Sequence, residues 1–356
     1  MPSESADCNL DVKTIWVTPL YKNNEYQYLF YRALGFSSGQ VRSGPTATKE
    51  FLRCAKRGDT LHIHWPEDLW KAARRIATLR RLIGLWQHLV ASRGAGVRVV
   101  WTIHNEVRHE GVGFGDRWGY RILASASDLV IVHSESAKRF AIGLGGVSKN
   151  VVKIDHGLYP EDAPDNGFFR KAAAPNAPTV GCLGLIRRYK NYSLVERAVD
   201  RMEGPVRCLL AGSVENELSA WAGRVERKGW TVVDRFLTKE ELSAAMLACD
   251  AIAIPYSRIT TSGLLAMAWS YRRPVVTLPL PYFTDYARRF GDAVITVADD
   301  DSPDAYAEAL QRCLAVDPLE RSEAFDRVAN ALDWSRCVAP LREREEFRNF
   351  VDSGCA

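Results

Sequence analysis

Four histidines stand at the ends of predicted strands in the first part of the chain: His64, His104, His133 and His156. Ligands bind at the carboxyl edge of a parallel sheet, so we expect these side chains to line a common crevice. Histidine titrates near neutral pH and could there take a proton from a substrate. Two alternatives stay open. Some of these residues, and His62, would be core histidines; a metal site is less favoured, because the histidines have neither i, i+4 helical pairing nor cysteine partners.

A group of basic residues follows a predicted strand at 179–186 in the second half of the chain. The group consists of Arg187, Arg188 and Lys190. A guanidinium can grip a diphosphate with two donors, and an ammonium adds a point charge. This segment therefore predicts an anion site, with a solvated basic loop as the alternative.

A second candidate anion site is the start of a predicted helix after the apolar strand 251–255. The small residues at this start are Thr260, Thr261, Ser262 and Gly263. The N–H groups and dipole of a helix N-terminus favour phosphate, although an ordinary capped helix uses the same residues. Tyr256 and Arg258 lie between this strand and the helix start.

Short apolar runs alternate with helical periodicity along the whole chain, which predicts an α/β protein with parallel sheets. A segment rich in Pro, Ala and Asp at 160–178 interrupts this alternation and is typical of a linker. We therefore predict a first domain over 1–165 and a second over 166–338. A last charged helix within 339–356 could cross back to the first domain.

Composition narrows the class of protein. A net charge of +4 over 356 residues does not indicate nucleic-acid binding, and the two parts differ in charge, with an excess of basic residues in 1–165. The scattered cysteines contain no C-x-x-C pair and are typical of free thiols in a reducing compartment. The polar N-terminus does not resemble a signal peptide, and no apolar run is long enough to span a membrane. We expect a cytoplasmic protein.

The predicted helix over 69–90 combines an apolar side with several arginines. The apolar side consists of Ile76, Leu79, Ile83, Trp86 and Val90. Such a helix could touch anionic lipid head groups at the inner face of a membrane. An amphipathic surface helix with solvated arginines is the alternative.

Six segments together resemble a GT-B glycosyltransferase of the family-4-like, bacterial exopolysaccharide (β-glycosyl) type. In chain order they are VVWTIHNEVRHE, DHGLYP, GLIRRYKNYSLVERA, LLAGS, DRFLTKEELSAAMLACDAIAIPY and TTSGLLAMAWSYRRPVV. The resemblance implies two Rossmann-like parallel-sheet domains facing across a cleft. It also implies that the second domain binds a GDP- or UDP-linked sugar as donor, with no cofactor and no metal. Tyr256 or Arg258 would then contact the base or sugar of that donor. The acceptor, a glycan or a polyprenyl-linked glycan, would bind the first domain near His64, His133 and His156.

One departure from the family pattern concerns the mechanism. Retaining members carry two glutamates at the equivalents of Ile259 and Met267, and neither position is acidic here. This favours an inverting transfer, which needs a general base on the acceptor hydroxyl. The candidates for that base are His104, Glu106 and His109, followed by His64 and Asp155.

Other functions stay open at this point. A non-hydrolysing sugar-nucleotide epimerase shares the two-domain architecture, and an inactive glycan- or nucleotide-binding relative would account for the missing glutamates. A two-lobed solute-binding protein is less favoured because no export signal is recognisable. The acidic run 299–301 is expected to cap a helix rather than to bind a metal.

Overall fold

The computed structural model describes residues 13–22, 24–105, 113–145, 150–160, 169 and 177–348. The chain divides into two compact units. Unit 1 comprises Met1–Asp155 with Trp334–Ala356, and unit 2 comprises His156–Asp333. The predicted domain boundary between 165 and 166 lies outside the described residues, as do Glu106 and His109.

Unit 1 is built around a parallel sheet with strand order β2-β1-β3-β4-β5-β6. Its strands are β1 (Ile15–Thr18), β2 (Val41–Ser43), β3 (Thr60–Ile63), β4 (Arg98–Ile103), β5 (Leu129–Val132) and β6 (Val151–Lys153). Its helices before the crossing to unit 2 are α1 (Glu25–Ala33), α2 (Thr48–Cys54), α3 (Glu67–Trp70), α4 (Arg75–Gly94), α5 (Asp116–Ala126) and α6 (Glu135–Gly143). The strand order changes direction between β1 and β3, where ligands bind in open α/β sheets.

Unit 2 repeats this plan with strand order β12-β11-β10-β7-β8-β9. Its strands are β7 (Thr179–Leu183), β8 (Arg207–Ala211), β9 (Thr231–Val233), β10 (Ala251–Ile254), β11 (Val275–Thr277) and β12 (Ile295–Val297). Its helices are α7 (Tyr192–Val199), α8 (Ser219–Arg227), α9 (Lys239–Leu247), α10 (Gly263–Ser270), α11 (Pro281–Phe290), α12 (Pro303–Ala315) and α13 (Pro318–Ala331). The order reverses between β7 and β10, as in a Rossmann fold.

The strands form where apolar runs can be buried on both faces of a parallel sheet. All four residues of β5, and all four of β10, have no exposed surface. Local signals set the helix ends, as at α9, where Thr238 and Glu241 form a complete capping box. The predicted alternation of strands and helices in two Rossmann-like units is therefore confirmed.

The C-terminal segment packs on the sheet of unit 1 as two short helices, α14 (Trp334–Cys337) and α15 (Ala339–Arg342). The long final helix expected from the sequence is not formed, since α15 ends at Arg342. Beyond it, the carbonyl oxygens of Glu345 and Glu346 accept hydrogen bonds from Lys13 Nζ at 2.7 and 2.5 Å. Thr60 Oγ1 also donates to Glu346 O at 2.6 Å, so these carbonyls are held by unit 1 side chains.

Within the described ranges, no helix combines the length and the apolar composition that crossing a membrane requires.

Candidate active site

A chain of hydrogen bonds joins three histidines at the carboxyl ends of β3 and β4. His62 and His64 lie on the same face of their strand, because side chains two residues apart point to one side. The Tyr31 hydroxyl, from α1, lies 2.7 Å from His62 Nδ1 and 2.9 Å from His64 Nε2. His64 Nδ1 lies 2.9 Å from His104 Nε2, and His62 Nε2 lies 2.7 Å from Thr102 Oγ1.

Burial keeps the inner histidines of this chain neutral. It lowers the pKa of His62 and of His64 well below the usual value, and the neighbouring imidazoles lower it further. A neutral imidazole donates through one nitrogen and accepts through the other. The proton positions along the chain Thr102–His62–Tyr31–His64–His104 are therefore coupled. Either every group donates its hydrogen bond toward His104, or every group donates in the opposite direction. In the second arrangement Nε2 of His104 carries the proton and donates to His64.

His133 lies beside this chain and is fixed at both ring nitrogens. The carbonyl oxygen of Ile154, 3.2 Å from His133 Nδ1, can only accept, so that nitrogen donates. His133 Nε2 then accepts from the Tyr26 hydroxyl at 2.9 Å. Both nitrogens are thus used to tie the ends of β5 and β6 to α1. This arrangement suits a positioning residue better than a base.

His104 is the member of the cluster that reaches the surface, with 8% of its area exposed. The Trp65 ring stacks on it at 4.3 Å with an interplanar angle of 16°. The Tyr26 ring contacts it edge-on at 4.9 Å. Packing and the bond to His64 thus fix the orientation of the imidazole. Of the predicted bases that the structure describes, His104 has the geometry closest to that of an oriented general base.

His156 belongs to unit 2, whereas the other strand-end histidines belong to unit 1. Its Nδ1 donates to Gly157 O at 2.7 Å, and burial lowers its pKa to about 4. Its Nε2 is 3.3 Å from the Tyr159 hydroxyl. That hydroxyl lies 3.4 Å from the position that a Cβ on Gly263 would take. His156 therefore belongs beside the start of α10, a placement that the strand-end pattern did not indicate.

Lys190 is a buried cation beside the point where the strand order of unit 2 reverses. It ends the 3₁₀ turn Arg188–Lys190 after β7, and only 7% of its area is exposed. Burial, followed by the charge of Arg187, lowers its pKa to about 8. Its Nζ lies 5.2 Å from the centroid of the Tyr256 ring. In the described part of the chain no carboxylate acts on its charge, so the ammonium can pair with an anionic ligand.

Tyr256 is a packing residue beneath this cation. Burial leaves 3% of its surface exposed and raises the pKa of its hydroxyl. Its ring contacts those of Tyr189 at 5.8 Å and Tyr192 at 6.5 Å. Arg188 and Arg258 are exposed, and the backbone N–H of Arg188 donates to Glu215 Oε2 at 3.2 Å. The structure thus brings Lys190 and Tyr256 together and leaves the two arginines at the surface.

At the N-terminus of α10, the hydroxyl of Ser262 is already used as the helix cap. Ser262 Oγ accepts from Leu265 N at 3.1 Å, which is the N-cap bond. Ser262 N donates to the Tyr282 hydroxyl at 3.3 Å. Thr260 is buried, and Gly263 is exposed at the first position of the helix. An anion here would meet the backbone N–H groups of the first turn rather than the Ser262 side chain.

A cavity of about 530 Å³ in unit 1 was not predicted from the sequence. It adjoins β1 and β3, where the strand order of that sheet changes direction, and lies among α2, α3 and α4. Its polar lining includes Thr18, Thr48, Asp68, Arg81 and His88. The signal that could have found it is the position of these polar residues after β1 and on helices that flank β3.

The described residues contain no group of three or more His, Cys, Asp or Glu side chains arranged to hold a metal ion. The four clustered histidines of unit 1, His62, His64, His104 and His133, instead bond to one another, to tyrosine or threonine hydroxyls, or to a backbone carbonyl.

Residues 177–316 match the family model of the glycosyl transferases group 1. A curated relative is the GDP-mannose:glycolipid 4-beta-D-mannosyltransferase of Xanthomonas campestris pv. campestris. It is 24% identical over 231 residues, which are 62% of this chain and 61% of the relative. The chain thus matches less than two thirds of that relative's length.

Two solved structures show the fold. Anabaena HepE in complex with UDP is 14% identical with a TM-score of 0.65, covering 90% of this chain and 96% of that one. The catalytic domain of starch synthase IV from Arabidopsis thaliana, bound to ADP and acarbose, is 16% identical with a TM-score of 0.59. It covers 89% of this chain and 75% of that one. The family match over residues 177–316 and the fold of these structures confirm the predicted resemblance to a GT-B glycosyltransferase.

Proposed function

We propose that the protein transfers a sugar from a nucleotide diphosphate sugar to a glycan or lipid-linked glycan. The observation that carries this proposal is Lys190, a buried cation at the point of unit 2 where α/β sheets bind ligands. Burying an ammonium group costs folding free energy unless the charge is paired with a partner. A diphosphate would be that partner, with Arg187 and the start of α10 as further donors.

The donor would be a GDP- or UDP-linked sugar. The curated relative is named for GDP-mannose and a glycolipid, and the HepE structures were solved with UDP and with UDP-glucose. A cytoplasmic enzyme would bind a glycolipid acceptor at the inner face of the membrane. In unit 1 the cavity of about 530 Å³ beside β1 and β3 is the candidate acceptor site, with Asp68 and His88 as hydrogen-bonding groups for sugar hydroxyls.

The transfer would proceed with inversion. His104 would take the proton of the acceptor hydroxyl, whose oxygen would attack the anomeric carbon as the bond to the diphosphate oxygen breaks. Lys190 and the N–H groups of α10 would stabilise the charge that develops on the leaving diphosphate. Glu106 and His109 remain candidate bases outside the described residues. The residues at 259 and 267, Ile and Met, supply no carboxylate to a retaining mechanism.

In this proposal the protein needs neither a cofactor nor a metal, because cationic side chains supply the charge that a divalent ion would otherwise provide. The measurement is the transfer rate after treatment with EDTA. A rate that falls and is restored by Mg²⁺ or Mn²⁺ would contradict metal independence without affecting the donor assignment.

The first experiment is a thermal-shift panel with UDP, GDP, TDP and ADP and with the corresponding nucleotide sugars. A ligand that binds only the folded protein at about a hundredfold excess over Kd stabilises it by roughly 2.7 kcal/mol. We expect a shift with GDP or UDP that is lost in Arg187→Ala and Lys190→Ala and kept in the control Lys228→Ala, which alters a surface lysine at the C-cap of α8. Unchanged affinity in both site variants would show that the diphosphate assignment is wrong. Conversion of the nucleotide sugar without acceptor would indicate an epimerase instead.

A further inference from the structure

Helix α4 has two apolar faces, and only one of them is buried. The buried face contains Thr78, Leu82, Leu85 and Leu89. The other face carries the five large side chains of the apolar stripe, Ile76, Leu79, Ile83, Trp86 and Val90, which are 47% to 68% exposed. Monomeric soluble proteins rarely expose a continuous apolar surface of this size without a partner.

The stripe is straight and long enough to contact a planar surface. At about 100° per residue its five members fall within one narrow sector of the helix. A helix of 20 residues is about 30 Å long, and the stripe runs through most of it. A further exposed aromatic residue, Phe114 before α5, lies near the N-terminal end of the stripe. The guanidinium of Arg75 lies 5.2 Å from the Phe114 ring centroid and links this residue to α4.

The charged side chains that α4 itself carries are all basic. Residues 71–94 contain six Lys and Arg and no Asp or Glu. On the helical wheel, Arg75 and Arg93 flank the stripe on one edge, and Arg80 flanks it on the other. Arg93 is paired with Asp128 at 3.0 Å, and Arg81 bonds to the Lys71 carbonyl oxygen away from the stripe. Arg75 and Arg80 are therefore the flanking cations best placed to meet an anionic partner.

We propose that the α4 stripe and its flanking arginines bind an anionic lipid membrane, with the helix lying in the plane of the interface. Aliphatic side chains and Trp86 would enter the boundary between head groups and acyl chains, and the arginines would meet lipid phosphates. A second copy of the chain fits less well. Packing two such helices together would bring two sets of cations into one interface without a carboxylate from either helix.

This inference rests on the proposed function in one respect: membrane binding would bring the enzyme to a lipid-linked acceptor. The contact between α4 and lipid is argued independently of the transfer reaction. The cavity beside β1 and β3 is lined by Arg81, Gly84 and Leu85 of the same helix. An α4 held at the interface would thus keep the candidate acceptor site near the lipid head groups.

The test is co-sedimentation with phosphatidylcholine vesicles, with and without phosphatidylglycerol. We expect binding that requires phosphatidylglycerol and weakens at high salt. Arg75→Gln/Arg80→Gln should weaken it about twentyfold or more, since each charge near an anionic surface contributes about fivefold. The control Arg227→Gln/Arg327→Gln removes the same charge from exposed positions in unit 2 and should bind as the wild type does.

The apolar part is tested with Ile83→Gln/Trp86→Gln. Losing the insertion of two large side chains should weaken binding more than about tenfold. The matched control is Phe236→Gln/Leu319→Gln, which removes two side chains that are 75% and 70% exposed elsewhere. All four variants alter exposed residues, so the urea midpoint should stay at the wild-type value.

Three results would overturn the proposal. One is absence of wild-type sedimentation with either vesicle, and another is equal sedimentation with both. The third is a concentration-dependent dimer that Ile83→Gln/Trp86→Gln abolishes, which would assign the stripe to a second copy. The vesicles contain no donor or acceptor, and the nucleotide panel contains no lipid. Failure of one proposal is therefore distinguishable from failure of the other.

Discussion

Replacing Lys190 by methionine should have two effects of opposite sign. Methionine keeps most of the side-chain volume and removes the charge. In the free protein the ammonium is buried against the Tyr256 ring, and burial with the charge of Arg187 lowers its pKa from 10.5 to about 8. The charged form is therefore disfavoured until an anion binds. Removing it should stabilise the free protein and weaken diphosphate binding.

The magnitudes follow from the burial of Lys190. A pKa lowered by that amount corresponds to about 3 kcal/mol at most. The cation–π contact with Tyr256 stabilises the wild type by about 1 kcal/mol. The free energy of unfolding of Lys190→Met is therefore expected to exceed that of the wild type by about 2 kcal/mol at pH 7. For a unit of this size that raises Tm by roughly 5 °C. A lost hydrogen bond between charged groups costs about 2 kcal/mol, which weakens nucleotide affinity about thirtyfold.

The pH dependence gives an independent check. Because the pKa of Lys190 is lower in the folded protein, the unfolded chain binds more protons between about pH 8 and pH 10.5. Wild-type stability should rise through this window as the folded protein loses the unfavourable charge. The stability difference between Lys190→Met and the wild type should shrink over the same range.

The assay is thermal unfolding with and without UDP or GDP, with Lys228→Met as the matched control. Hydrogen bonds to Asp200 and Glu196 raise the pKa of Lys228, so its ammonium is favoured in the folded protein. The control should therefore lose stability and keep nucleotide affinity. A Lys190→Met protein that is less stable than the wild type and binds the diphosphate equally well would refute the reasoning.

Three further predictions concern the scaffold. Tyr31→Phe removes the hydroxyl that links the imidazoles of His62 and His64, and should lower the free energy of unfolding by about 2 kcal/mol in urea titrations; an unchanged urea midpoint would show that these two hydrogen bonds do not stabilise the fold. Gly212→Ala should prevent stable folding, because φ is +142° and the new Cβ would lie 1.8 Å from the Gly184 carbonyl oxygen; recovery of folded protein by circular dichroism would contradict the packing. Hydrogen bonds hold the pKa of Glu196 at about 2 although burial opposes this. Its carboxylate therefore stabilises the fold above the usual glutamate pKa and loses this effect as pH falls from about 4.5 toward 2. Glu196→Gln should be less stable than the wild type by about 2 kcal/mol at pH 7 and by less near pH 3; a constant difference would contradict the assignment.

Local patterns were sufficient for the elements that carry the candidate site. The hydroxyl cap of α10 is set by Ser262, whose side chain bonds a backbone N–H three residues away. The basic turn after β7 was likewise visible, because Arg187 and Lys190 directly follow an apolar strand. Helix caps, strand burial and charge are properties of neighbouring residues, so the sequence alone indicates them.

Some partners could not be predicted, since strand order brings together residues that are distant in the chain. Lys190 meets Tyr256 because β7 and β10 are neighbours in the sheet of unit 2. Tyr31 reaches His62 and His64 because α1 packs over the ends of strands 30 residues away. Hence His62, expected only as a core residue, is part of the same hydrogen-bond chain as His104. His156 belongs to unit 2, because the chain passes from unit 1 to unit 2 between Asp155 and His156.

The sequence by itself determined which segments become strands and helices, where most helices begin and which residue types stand at the strand ends. These features depend on hydrogen bonding and burial within a few residues. Only the tertiary structure decided which of the two apolar faces of α4 is buried, because both faces satisfy the helical period. Packing against α5 selects the face with Leu82, where the Cβ position of Gly115 approaches, and leaves the stripe with Trp86 at the surface.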